Sequence, residues 1–119
     1  MPPTLVYTHD DCLLHETGYG HPERPARIAA ALRGAAQWDG EVDLRETPLA
    51  SENDVALVHD PAYIAALSEL CAAGGGALDP ETSVVAASWD AALRAVGSGI
   101  AAATAIDFGE ARNAFLAVR

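Results

Sequence analysis

A continuous apolar segment at residues 114–118 limits the folds open to this chain more than any other feature. No polar residue interrupts it, so it predicts a strand buried on both faces, as in a parallel sheet covered by helices. The β-branched and aromatic residues of Thr4–Thr8 predict a second strand. A third is expected over residues 42–49, where Pro48 restricts it to a sheet edge or to its end. An α/β fold follows.

Three segments carry the three-to-four-residue periodicity of helices that bury one face. The first is expected from Pro25 to about Gln37, since proline fits the first helical turn. The second begins at Asp60-Pro61, a favourable N-cap followed by proline, and ends at the glycines of residues 74–76. A turn at residues 78–82 leads to the third helix, expected over residues 88–106.

The third helix carries apolar side chains on one face, which is expected to be the buried one: Trp89, Leu93, Val96, Ile100 and Ala103. Two glycines interrupt it, each at a cost of about 1 kcal/mol relative to alanine. Gly97 and Gly99 are therefore expected where another backbone approaches the helix closely.

The charge and composition of the chain exclude several classes of function. Seven basic residues, all arginine, stand against 17 acidic ones, which gives 119 residues a formal net charge of −10. Because phosphate binding needs clustered Lys and Arg, no nucleic-acid partner is expected. No stretch approaches the ~20 apolar residues of a membrane helix, and no signal peptide is recognisable. Cys12 and Cys71 are expected to be free thiols in a cytoplasmic protein.

Four potential metal ligands occur in the loop expected at residues 9–21, namely His9, Cys12, His15 and His21. They could form a small zinc-binding module. Their spacing matches no zinc finger or ribbon, however, and histidines that cap loops and bind backbone groups are the favoured interpretation. No metal ligand is assigned to the chain.

The most specific motif is residues 20–28, Gly-His-Pro-Glu-Arg-Pro-Ala-Arg-Ile. It resembles the start of the first helix in the zinc-dependent histone deacetylase superfamily. The resemblance is to bacterial class II-like deacetylases, acetylpolyamine amidohydrolases and acetoin-utilisation proteins. Four more segments resemble family motifs in the same order, at residues 58–64, 78–82, 88–97 and 113–119.

The resemblance implies an arginase/deacetylase-type three-layer fold with a mainly parallel sheet. Residues 1–119 would form its incomplete N-terminal portion, because family members are considerably longer. In the family, a His pair follows the last of these strands, and the zinc ligands and a Tyr come later still. None of these motifs occurs in this sequence. The chain alone is therefore expected to lack catalytic residues, bound zinc and deacetylase activity, although the family hydrolyses acetyl-lysine or acetylpolyamine amides with zinc.

Two residues match family site positions. Arg27 resembles the arginine that lines an internal channel beneath the active site, although a solvated helix arginine is the plain alternative. Asp79 resembles the rim carboxylate that binds the substrate backbone. It could instead be a simple turn residue, and Glu81 competes for the rim role.

A different class of function stays open beside the deacetylase interpretation. The chain could be a non-catalytic module that associates with a partner chain, or with itself, through the apolar edge of its last strand.

Overall fold

The computed structural model describes residues 2–119, which form a three-stranded sheet, a separate hairpin and four α-helices. In chain order the elements are β1 (Thr4–Thr8), α1 (Ala26–Gln37), β2 (Val42–Glu46), α2 (Glu52–Val55), α3 (Pro61–Ala72), β3 (Gly75–Asp79), β4 (Thr82–Val85), α4 (Ser88–Asp107) and β5 (Ala114–Leu116). A short 3-10 helix, Asp10–Leu13, interrupts the loop that follows β1.

The sheet has the order β2-β1-β5, and both pairings are parallel. Thr4 pairs with Val42, and Leu5 pairs with Ala114. The α/β prediction is therefore confirmed. Within the described residues β2 is an edge strand, and it ends two residues before Pro48. Because the strands are parallel, their carboxyl ends meet at one edge of the sheet.

Helices cover both faces of the sheet. On one face, Leu5 and Tyr7 pack against small residues of α4 and the segment after it, chiefly Ala102, Ala105 and Ala111. On the other face, α1 lies over Val6 and Phe115 and leaves an open apolar groove beside Trp38. The result is a three-layer arrangement. None of the helices among the described residues is long and apolar enough to cross a membrane.

The buried face of α4 differs from the expected one. Its buried residues are small: Ser88, Ala91, Gly97, Ser98, Ala102 and Ala105. Ile100, on the face expected to be buried, is 45% exposed. The small side chains of the opposite face contact the sheet instead, because they let the helix approach more closely than large ones would. Gly97 does meet another backbone, because a Cβ there would lie 2.0 Å from the Pro48 carbonyl oxygen. Gly99 has no such neighbour, so that prediction is wrong.

Two strand predictions also need correction. The strand expected at residues 42–49 ends at Glu46. The strand expected at residues 114–118 covers only Ala114–Leu116 and is not buried on both faces: Phe115 is 47% exposed. Within the described residues β5 pairs only with β1, so one of its edges has no neighbour to exclude solvent.

A hairpin replaces the simple turn expected at residues 78–82. β3 and β4 pair antiparallel, and part of the glycine run belongs to β3 rather than to a helix end. Gly75 has a φ of 97°, and a Cβ there would lie 2.1 Å from the Val84 carbonyl oxygen. Glycine is therefore required at this position by both its conformation and its neighbour.

Candidate functional site

The candidate site lies at the carboxyl edge of the sheet, where ligands bind in open α/β folds. The loop after β1 carries the Gly-His-Pro-Glu-Arg-Pro motif into α1, and residues 117–119 leave β5 at the same edge. The Thr8 hydroxyl donates to the Ala117 carbonyl at 2.9 Å. This contact holds the ends of β1 and β5 together.

An ion pair between the buried Arg119 and the partly exposed Glu23 is the centre of this edge. The Arg119 side chain is only 4% exposed, and its Nε and Nη2 donate to the two Glu23 carboxylate oxygens at 2.7 and 2.5 Å. Arg119 Nη1 also donates to the carbonyls of Cys12 and His15. The guanidinium thus joins the end of β5 to three points of the loop before α1, with the bidentate geometry that favours Arg over Lys.

The ion pair shifts the pKa of the Glu23 carboxyl and contributes to the pKa of the neighbouring His15. Hydrogen bonding from Arg119 holds the pKa of the Glu23 carboxyl below its ordinary value, despite the opposing effect of burial. His15 lies beside it, with Nε2 3.6 Å from a Glu23 oxygen. Burial, and then the positive charge of Arg119, lower the pKa of His15. The Nδ1 of His15 lies 2.6 Å from the Ser88 hydroxyl at the start of α4.

Arg27, the residue predicted to line a channel, lies at the border of this cluster. Its side chain is 64% exposed, and its Nη1 lies 4.0 Å from a Glu23 oxygen. It lines a groove of about 230 Å³ between the start of α1 and the end of β5. Arg27 is therefore solvated, as expected of an ordinary helix arginine, and it also contacts a groove. Its role in a channel stays a prediction.

Asp79, the predicted rim carboxylate, lies outside this cluster at the exposed end of β3. Its Oδ1 accepts the Glu81 amide proton at 2.8 Å. This bond and hydrogen bonding from Thr82 lower the pKa of the Asp79 carboxyl. Asp79 therefore makes the local bonds of a turn residue, while its role toward substrate stays a prediction.

The histidines of the loop make structural hydrogen bonds. His9 Nδ1 accepts the Asp11 amide proton and caps the 3-10 helix. His21 Nδ1 accepts the Glu23 amide proton at 3.0 Å, and its Nε2 donates to the Glu81 carbonyl. Within residues 2–119, no three His, Cys, Asp or Glu side chains converge as a metal site would require. These side chains therefore do not fit the family's zinc, and no catalytic step through zinc is assigned to them.

Sequence reasoning missed the main features of this site. Apart from the family resemblance, Glu23 was interpretable only as a residue favoured near a helix N-terminus, and Arg119 only as one of several scattered arginines. Their contact joins residues 96 positions apart. His15 and Ser88 are likewise 73 positions apart. The family resemblance of residues 20–28 and 113–119 singled out the two segments that contain Glu23 and Arg119, but it did not predict their contact.

Comparison with known proteins identifies the family. The histone deacetylase domain matches residues 21–119. A probable deacetylase of Archaeoglobus fulgidus is 36% identical over 120 residues, covering 98% of this chain and 33% of that protein. A histone deacetylase-like amidohydrolase of Pseudomonas aeruginosa is 34% identical over 98 residues, covering 81% of this chain and 26% of the relative.

The fold agrees with the sequence match. The crystal structure of the HDA15 HD domain resembles this chain with a TM-score of 0.86 and 26% sequence identity. That superposition covers 100% of this chain and 36% of the other. The chain belongs to the histone deacetylase family, as its motifs indicated. It spans about a third of the length of the curated relatives it matches.

Proposed function

We propose that this chain supplies part of a zinc-dependent deacetylase domain that hydrolyses acetyl-lysine or acetylpolyamine amides. In this proposal Arg27 lines the internal channel and Asp79 binds the substrate backbone at the rim. We also expect no deacetylase activity from the chain alone, since the His pair, the zinc ligands and the Tyr of the family do not occur in its sequence. The cytoplasmic location and the absence of a nucleic-acid partner belong to the same proposal.

The observation that carries this proposal is the groove between α1 and the end of β5. Arg27, Glu23 and Arg119 all line it, and it opens at the carboxyl edge of three parallel strands. Because Arg119 is paired with Glu23, the positive charge that remains at the groove is that of Arg27. A positively charged groove suits an anion such as the carboxylate released by deacetylation.

A segment exchange tests the proposal. The matching third of the Archaeoglobus fulgidus relative is replaced by this chain, and zinc-dependent release of acetate is measured with acetyl-lysine peptides and acetylated polyamines. We expect the chimera to release acetate, and the 119-residue chain alone to release none above a zinc-only blank. An inactive chimera that folds, or activity of the chain alone, would contradict the proposal.

The same chimera tests the two assigned residues. Asp79→Ala should raise KM about tenfold with little change in kcat, since one hydrogen-bonded charge contributes ~1.5 kcal/mol. Glu81→Ala is the matched control, because it removes the competing carboxylate while Asp79 remains. A larger effect of Glu81→Ala would transfer the rim role to Glu81. Arg27→Ala should lower kcat with KM unchanged if the arginine acts on the departing product.

A second candidate function is association with another protein through β5, as a non-catalytic module. The observation that favours it is the exposure of Phe115 and Leu116, at 47% and 37%, on a strand with one unpaired edge. Such an edge is a template for pairing with another chain.

A further inference from the structure

The β3–β4 hairpin carries Asp79 but has little apolar burial of its own. Four of the five β3 residues are exposed, and Leu78 near its end is 44% exposed. Apolar packing therefore contributes little to the position of the turn. Residues 83–85 at the base of β4 are half-buried, whereas residues 79–82 of the turn are exposed, so polar contacts with the loop before α1 are available to fix the turn.

Two histidines of that loop are connected to opposite ends of β4, His21 directly and His15 through Ser88 of α4. At one end, Ser88 accepts the Val85 amide proton at 2.8 Å, which leaves its hydroxyl proton free for His15 Nδ1. At the other end, His21 Nε2 lies 2.8 Å from the Glu81 carbonyl oxygen in the turn. A further hydrogen bond between the hairpin and the loop, from the Ser83 hydroxyl to the Thr17 carbonyl, is longer, at 3.4 Å.

The two hydrogen bonds of His21 determine its tautomer. The Glu23 backbone N–H can only donate, so Nδ1 of His21 must be the unprotonated acceptor. The Glu81 carbonyl can only accept, so Nε2 must carry the proton. The same turn is closed from inside by the Glu81 amide, which donates to Asp79. Glu81 thus connects His21 directly to the predicted rim carboxylate.

We propose that His21 is a positioning residue, which fixes the turn that carries Asp79 by donating from Nε2 to the Glu81 carbonyl while Nδ1 fixes the start of α1. The importance of this for substrate binding rests on the proposed function of Asp79. The positioning itself rests only on the hydrogen bonds of His21.

Two conservative substitutions separate the two bonds. His21→Asn places an oxygen near the position of Nδ1, where it can accept the Glu23 amide proton as Asn does in turns, but it cannot reach Glu81. His21→Gln places an amide nitrogen near the position of Nε2, where it can donate to the Glu81 carbonyl. The matched control is His59→Gln, since His59 is exposed and contacts Tyr63 at a ring-centroid distance of 6.0 Å.

Amide hydrogen exchange of the 119-residue chain, read by NMR, tests the proposal. In His21→Asn, the Glu81 amide should exchange about fivefold faster while the Glu23 amide stays protected, as loss of one exposed hydrogen bond implies. In His21→Gln the pattern should reverse. His59→Gln should change neither amide.

A general loss of stability would accelerate both amides together, so equal effects in the two His21 variants would overturn the proposal. An unprotected Glu81 amide in the unsubstituted chain would overturn it as well. The measurement needs no turnover. Its failure is therefore distinct from a failure of the deacetylase proposal, which the Asp79→Ala chimera tests.

Discussion

The Glu23–Arg119 pair is the contact on which the candidate site depends most at the scale of single residues. Arg119 is almost fully buried, and a buried charge is costly unless a partner and hydrogen bonds compensate for it. Glu23 supplies the opposite charge and two hydrogen bonds, and the carbonyls of Cys12 and His15 accept from Nη1 of Arg119. Removal of either partner should therefore destabilise the fold more than loss of a surface ion pair would.

Glu23→Gln keeps the shape of the side chain and removes its charge. We expect the free energy of unfolding at neutral pH to fall by about 2 kcal/mol, less than for a fully buried pair because about a third of Glu23 is exposed. Urea unfolding followed by circular dichroism measures the change. Glu81→Gln removes the charge of an exposed carboxylate; it is the control and should change little.

The pH dependence of the same variant provides an independent measurement. The pKa of Glu23 is lowered in the fold, so the unfolded chain binds its proton more readily. The stabilisation is therefore complete above the ordinary carboxyl pKa of 4.5 and decreases as the pH falls through the lower folded value. The stability difference between the original chain and Glu23→Gln should narrow below pH 4.5. A constant difference across this range would contradict the assignment.

Local capping was predictable from the sequence, whereas contacts between distant residues were not. Ser51 and Asp54 form a capping box of the usual spacing at the start of α2, and the Asp60 side chain accepts from the Ala62 amide at the start of α3. These bonds depend on residues two or three positions apart, so sequence spacing determines them. The Glu23–Arg119 and His15–Ser88 contacts depend on how β5 and α4 meet the loop, which no local pattern contains.

At the scale of elements, the packing of α4 explains where prediction by periodicity failed. The hydrophobic periodicity predicted that the large side chains of α4 form its buried face. Of these, Trp89, Leu93 and Val96 line a groove between α4 and the helices α2 and α3. The sheet contacts the small residues instead. Alanine adds little to a hydrophobic pattern, yet it permits close approach of a helix to a sheet. Because α4 packs through two faces, its sequence alone does not show which face contacts the sheet.

The two glycines of α4 offer a matched test of that close approach. A methyl group at Gly97 would meet the Pro48 carbonyl, and the Ala50 amide beside it donates to the Leu93 carbonyl of α4. Gly97→Ala should lower the free energy of unfolding by about 2 kcal/mol, because the overpacking outweighs the better helix propensity of alanine. Thermal unfolding measures the shift.

Gly99→Ala makes the same chemical change two residues further along α4, where a Cβ would meet nothing within 4 Å. Gly99→Ala should raise the free energy of unfolding by up to about 1 kcal/mol, because alanine has a better helix propensity than glycine. Equal effects of the two substitutions would show that α4 does not approach the Pro48 segment as described.

At the scale of the whole molecule, the two faces of the sheet are covered unequally. The face beneath α4 forms the main buried cluster. On the other face, α1 leaves an apolar groove of about 330 Å³ that Val6, Trp38 and Phe115 help to line. Trp38 and Phe115 are both about half exposed. The sequence correctly predicted an apolar last strand, but burial depends on neighbours that the 114–118 segment cannot specify.

This open groove leads to a prediction about association. Because exposed apolar surface beside an unpaired strand edge favours pairing between chains, we expect the 119-residue chain to associate with itself as its concentration rises. Phe115→Glu places a charge in the groove and should shift the chain to a monomer in sedimentation velocity. Phe108→Glu is the matched control: Phe108 is 79% exposed at the end of α4 and does not line the groove, so association should persist. Monomeric behaviour of the unsubstituted chain at every concentration, or equal effects of both substitutions, would contradict association through β5 and remove the observation that favours a partner-binding module.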